Sequence, residues 1–376
     1  MLHLSKRHFN ALDLSRLIAA FAVLFWHYQH FFVPPVLYEF HVRRSIQPLY
    51  HPLRWFYDYG HIAVEYFWAV SGFVFAHVYL GNVAARARFW IARFARLWPL
   101  HLITLVAVAL LQGIYTARHG VNFIYHHQDV RHFLLNLAMA HYWGFQANQS
   151  FNGPSWSLST EIVAYALFWS ALPALRRHPV IVAGAIATLA FAAMFGDVLP
   201  PDAPQATLTA RVVSVVACLG YFFAGVAAYA ALAAGAAGPR RLLAVALVLA
   251  AAAWRLAMIR HHGFDMAMLA ATFAALGVVV ALDLADTRDR LAPLRPLGDA
   301  SYGVYLWHFP VQLVFVIAVD AAIGTRWVFR DWWMLALFLV AALAAGFASH
   351  RWIERPAQRA ILRLARRDQS TSSAMR

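Results

Sequence analysis

Arg16 and His27 stand eleven residues apart in an apolar run, LDLSRLIAAFAVLFWHYQHFF. Eleven residues at 100° each make about three helical turns, so the two side chains share a helix face, roughly 16 Å apart. An ionisable group within such a run costs several kcal/mol unless it is paired or solvated, which makes each a functional candidate. An imidazole titrates near neutral pH and can move a proton. Glu65 and the pair Ser71-Gly72 lie in GHIAVEYFWAVSGFVFAHVYL. Arg93 and Arg96 are one turn apart in ARFWIARFARLWPLHL, a spacing that can grip phosphates. In FNGPSWSLSTEIVAYALFW, Ser157 and Glu161 share a face at i, i+4, and Trp156 stands beside them. Ser301, Tyr305 and His308 recur at i, i+4 and i+7 in LGDASYGVYLWHFPVQ, ahead of the helix-kinking Pro310.

Each candidate has a plainer reading. Arg16 can snorkel to the interface, and His27 can be a hydrogen-bonded packing residue. Ser71-Gly72 can serve close helix approach alone. Arg93 and Arg96 can be topology signals, and Trp156 part of an interfacial aromatic belt. Glu161 can belong to a structural ion pair, and the Ser301 face can be a polar contact between helices.

The elements that would position these residues follow from composition. The chain is 62% hydrophobic and 13% charged, against roughly 25% charged in a soluble domain. The pattern predicts an all-α, polytopic membrane protein with about ten spans: 13–33, 61–80, 97–116, 155–175, 179–196, 208–234, 242–259, 265–284, 301–322 and 332–352. The short apolar stretch 131–146 reads as a re-entrant or interfacial segment. The unit is expected to run over 1–355, with a basic, partly disordered tail over 356–376. With both termini in the cytosol, every inner connection is basic, as at Arg86, Arg88, Arg176, Arg177, Arg240 and Arg241. The net charge of +14 is therefore assigned to topology and lipid headgroups rather than to nucleic acid. The single Cys218 excludes a disulfide framework and a cysteine metal cluster. Among the 19 histidines there is no HExxH pattern. His126-His127 and His261-His262 fall in outer loops without ligand spacing, so no metal site is expected. The first apolar run is too long for a signal-peptide core and is read as a retained span.

Six segments in chain order resemble the membrane-bound acyltransferase-3 family, the O-antigen and exopolysaccharide O-acyltransferases. They are LDLSRLIAAFAVLFWH with its Arg-x10-His spacing, VEYFWAVSGF, ARFARLWP, NGPSWSLSTE, LGDASYGVYLWHFPV and SHRWIERPAQR. Glu65 stands where the family usually has Asp. Leu14-Ser15 replaces a common Gly-Leu, and Thr160 sits where Val is frequent. The resemblance is to the stand-alone membrane type, without the periplasmic hydrolase-like domain that many members add.

The resemblance implies transfer of an acyl group, acetyl by default, from cytosolic acyl-coenzyme A to a hydroxyl of a carbohydrate or glycolipid on the outer side. It implies the bacterial inner membrane, membrane lipids as surroundings and no bound cofactor, acyl-coenzyme A being a co-substrate. The site residues then divide into a catalytic group, His27, Glu161 and Arg16, a donor group, Arg93, Arg96, Ser301, Tyr305 and His308, and an acceptor group, Trp156, Glu65 and Ser71. His27 would be the base, with Glu161 or Glu65 orienting it. No Gly-x-Ser-x-Gly elbow offers a hydrolase-type serine, so direct transfer and an acyl-enzyme intermediate both stay open. The rival class is a transporter or flippase, which also needs buried charges, although inverted repeats are not evident.

Overall fold

Helix α1 (Asn10–His27) has no side-chain cap of its own. The N–H groups of Ala11 and Leu12 donate instead to the two carboxylate oxygens of Asp283, at 2.8 and 3.0 Å. A buried carboxylate from a distant helix thus satisfies orphan donors at the positive end of the helix dipole. The computed structural model describes residues 8–33, 44–82, 86, 88–146, 148–195, 208–235, 238–258 and 263–374.

The chain continues through α2 (Tyr50–Tyr59), α3 (Ala63–Tyr79), α4 (Phe89–His119), α5 (Val130–Leu137), α6 (Trp156–Arg177) and α7 (Pro179–Phe195). It then forms α8 (Leu208–Gly235), α9 (Pro239–Leu256), α10 (Gly263–Ala285), α11 (Arg295–Asp299), α12 (Ser301–Ala322), α13 (Trp332–Ser349) and α14 (Arg355–Ala374). Among the described residues there is no strand, only an isolated bridge between His127 and Ser150. Eight helical stretches are long and apolar enough to cross a membrane. The two further spans expected from the sequence are present as helices with weaker credentials. Helix α7 has 17 residues, about 26 Å, which is short of a hydrocarbon core of roughly 30 Å. Helix α9 carries Arg240, Arg241 and Arg255 within its 18 residues.

The stretch 131–146 is too short to span. Helix α5 and the turns after it lie against α4, where His101 Nε2 meets the Asn136 carbonyl at 2.7 Å and the Trp98 indole donates to the Leu137 carbonyl. His261 and His262 lie outside the described residues. Much of the basic tail is helical, as α14.

Two contacts set the helices around the site. A Cβ on Gly72 of α3 would stand 1.8 Å from the Phe222 carbonyl oxygen of α8, and one on Gly225 of α8 would stand 2.0 Å from that of Ala69. The two backbones therefore touch at reciprocal glycines, the small-residue packing that membrane helices use. In α12, Pro310 lacks an N–H, which orphans the Leu306 carbonyl four residues earlier. The Asn152 amide donates to that carbonyl at 3.0 Å, so the proline break is repaired from the segment that leads into α6.

Candidate active site

Helices α1, α3, α4, α6 and α12 enclose a cavity of about 340 Å³, with Gln358 of α14 at its rim. Arg16, Arg93, Arg96, Ser71, Glu161, Ser301 and Tyr305 all line it. The starts of α1 and α14 both lie at this cavity, since Arg16 is in the second turn of α1 and Gln358 in the first turn of α14. Seven of the eleven residues assigned to the catalytic, donor and acceptor groups therefore meet in one hole, although they come from five different helices.

The three guanidinium groups are close enough to feel one another's charge. Arg93 lies over the Phe75 ring at 4.8 Å, and its Nε is buried without a hydrogen-bond partner. Arg96 lies 6.0 Å over the ring of Tyr302. Arg16 makes only a long contact to Asp13, at 3.7 Å. Among the described lining residues Glu161 is the one carboxylate, and Ser71 and Tyr165 hydrogen-bond to it. Three cations against one anion, with a buried guanidinium N–H unsatisfied, give this cavity the donors and charge that suit an anion. The Ser301 hydroxyl is likewise buried without a partner.

The far wall is Tyr305. Its hydroxyl lies 2.8 Å from the Ser157 hydroxyl and donates to the Pro154 carbonyl at 2.7 Å. One turn further along α12, His308 is fully buried and its Nε2 lies 3.0 Å from His27 Nδ1. The two rings stack with centroids 5.0 Å apart. His308 Nδ1 contacts the Tyr305 carbonyl oxygen, which can only accept, so Nδ1 carries the hydrogen. In a neutral imidazole Nε2 then holds the lone pair and accepts from His27 Nδ1–H. That leaves the lone pair of His27 on its own Nε2. A carbonyl thus fixes the tautomer of one histidine, and that histidine fixes the other. Gln312 donates to the His27 carbonyl at 2.9 Å and stands 3.3 Å from His30, which ties the end of α1 to α12.

The structure regroups several candidates. His308 partners His27 rather than the donor residues. The hydrogen-bond partners of Glu161 are Ser71 and Tyr165, so the group that orients His27 is His308. Glu65 is outside the cavity, with one buried carboxylate oxygen unpaired, near Tyr221 and Asp265. Trp156 packs edge-on to Trp68, a lining residue, with ring centroids 5.7 Å apart, and does not itself line the cavity. Sequence reasoning missed Asn152 and Gln312, although Gln312 shares the face of Tyr305 and His308, at i+7 and i+4. It also missed Gln358, for which no local signal exists.

The acyltransferase-3 profile, described as an acyltransferase domain, matches residues 9–351. The acyltransferase MdmB of Streptomyces mycarofaciens is 28% identical over 326 residues, which cover 80% of this chain and 82% of that protein. No solved structure matches. The matched region includes every lining residue except Gln358, as well as the His27–His308 pair. The chain belongs to the acyltransferase-3 family and is an integral membrane acyltransferase.

Proposed function

We propose that acyl-coenzyme A enters from the cytosol through the arginine-lined cavity and acylates a hydroxyl held on the far side of Tyr305. The observation that carries this reading is the adjacency of an anion-binding cavity and a tautomer-fixed imidazole pair, one helical turn apart along α12. Arg16, Arg93 and Arg96 meet the phosphates at the inner end. The thioester reaches toward Tyr305 and Ser157. Glu161, held by Ser71, keeps Arg16 and Arg93 in place.

His27 Nε2 removes the acceptor proton as the alkoxide oxygen attacks the thioester carbonyl. Collapse of the tetrahedral intermediate breaks the carbon–sulfur bond, and the imidazolium returns its proton to the leaving thiolate. The products are an ester and free coenzyme A. His308 holds the base in the required tautomer, the positioning role that a carboxylate plays in hydrolase triads. Acetyl is the proposed acyl group, and a carbohydrate or glycoconjugate the proposed acceptor. Support for both comes from the six family-like motifs. The basic connections support placement in the inner membrane with cytosolic termini.

The test is direct. Purified protein in lipid nanodiscs is given acetyl-coenzyme A with isolated surface glycans, and thiol release and ester formation are followed together. Stoichiometric ester and thiol, lost in His27→Gln, is the expected result. Ester formation undiminished in His27→Gln overturns the assignment of the base. Absence of ester with any coenzyme A thioester overturns the donor.

A further inference from the structure

The segment between α4 and α5 is clamped to α4 before it reaches the site of interest. Gln112 donates to the Phe123 carbonyl and accepts from the Phe123 N–H, both at 2.8 Å. Tyr125 then lies on the bare backbone of Gly153, where a Cβ would stand 2.1 Å from its ring. Its ring also packs on Phe309, 4.9 Å between centroids, and faces His30 edge-on. Immediately after it come His127, Asp129 and His132.

Among the described residues these three form the one group of metal-type donors, with a ligand atom from each within 4.8 Å of the others. Asp129 caps α5 through the His132 N–H at 3.0 Å, and its second oxygen lies 2.6 Å from His132 Nδ1. His132 Nδ1 and the Asp129 oxygen thus stand side by side, and an ion between them would take the place of the Nδ1 hydrogen. The His127 ring lies parallel to it, with centroids 5.0 Å apart and 18° between planes. The Asn148 amide lies 2.9 Å from His127 Nε2 and holds the ring in place; with the amide oxygen turned to an Nε2–H, the lone pair stays on Nδ1 for an ion. The Asp129 side chain is 55% exposed, which leaves room for water to complete a coordination shell.

The geometry points to a divalent transition-metal site of the zinc class, formed by His127, His132 and Asp129, none of which lines the arginine-rich cavity. Two imidazoles with one carboxylate suit zinc or its neighbours rather than calcium or magnesium, which take oxygen donors. Ligands about 2.1 Å from a common ion lie closer together than 4.8 Å, so binding draws the His127 loop toward α5. Because Tyr125 is two residues from His127, the ion would lock the segment that covers the His30 side of the imidazole pair. The unmetallated alternative is a helix cap decorated by a stacked histidine pair. It makes the same hydrogen bonds but has no affinity for cations.

Full-length protein in detergent, stripped with a chelator, is titrated with Zn²⁺ by calorimetry and with Co²⁺ by visible absorption. One ion per chain is expected, with the cobalt band of a nitrogen-ligated ion. His127→Gln and His132→Gln should each weaken binding at least about tenfold, while His126→Gln leaves it unchanged. Gel-filtration profiles and helical circular dichroism identify any variant that fails to fold. For such a variant, chelator-sensitive protection of the 120–129 loop from proteolysis in the wild-type protein is the deciding readout. No saturable binding, or binding retained in the folded double variant, overturns the site.

Discussion

At the scale of single residues, the His27–His308 pair makes the sharpest distinction between chemistry and packing. A packing pair would lose stability on substitution and keep its activity per folded molecule. A base and its positioning residue lose turnover together. His27→Gln should lower kcat about 10²–10⁴-fold, and His308→Gln should fall in the same range because the His27 tautomer is no longer imposed. The double variant should be little worse than His27→Gln alone, since groups that act as a unit are not additive. Multiplicative losses in the double variant would separate the two roles. Arg93 poses the corresponding question for the donor. Its buried, unpartnered Nε is a donor waiting for an acceptor, and one charge-assisted contact is worth about 1.5–3 kcal/mol. Arg93→Ala should raise the donor KM roughly tenfold to a hundredfold with kcat nearly unchanged, measured by initial rates across donor concentrations. A fall in kcat at constant KM would move Arg93 from binding to the reaction itself.

At the scale of helices, the contacts divide into those legible from local pattern and those that are not. The Arg16–His27 face of α1 and the Ser301–Tyr305–His308 face of α12 follow from 3.6-residue periodicity, and both turn toward the cavity or the imidazole pair. Ser71-Gly72 carried two competing readings, close packing and ligand contact: Gly72 makes the crossing with α8, while Ser71 lines the cavity and hydrogen-bonds to Glu161. What sequence could not supply is the partner across the bundle. Asp283 caps α1 from 272 residues away, Asn152 repairs α12 after Pro310, and His308 rather than a carboxylate meets His27. Periodicity reports which residues share a face, whereas partners depend on which faces the bundle brings together. The α1 cap makes this testable. Asp283→Ala leaves the Ala11 and Leu12 N–H groups buried and unpaired, at a cost of about 1–3 kcal/mol. The thermal midpoint measured in detergent should drop, and Asp283→Asn, which can still accept one hydrogen bond, should fall between the two. An unchanged midpoint in Asp283→Ala would mean that water or another group takes over the cap.

At the scale of the whole molecule, the placement of two chemistries at two ends requires a definite orientation. The three cavity arginines share their cavity with the starts of α1 and α14, while the imidazole pair lies about three turns further along α1. If coenzyme A thioester is supplied from the cytosol, that arginine end must be cytosolic. The same end carries Arg176, Arg177, Arg240 and Arg241, as the positive-inside rule requires, although Arg176 also donates to the Tyr79 and Asn82 carbonyls and so has a structural reason to be there. Charge counting and donor chemistry thus make the same demand on independent grounds. Cysteine accessibility checks it, because the single native cysteine, Cys218, is fully buried and gives little background. Arg131→Cys at the start of α5 and Arg363→Cys in α14 replace exposed side chains, the first in an expected outer connection and the second in the expected inner tail. A membrane-impermeant maleimide applied to intact cells should label position 131 at once and position 363 only after the cells are opened. The reverse pattern would put the arginine-lined cavity outside, beyond the reach of cytosolic coenzyme A. The anion it binds would then have to come from the acceptor, and the direction of acyl transfer proposed above would fail with it.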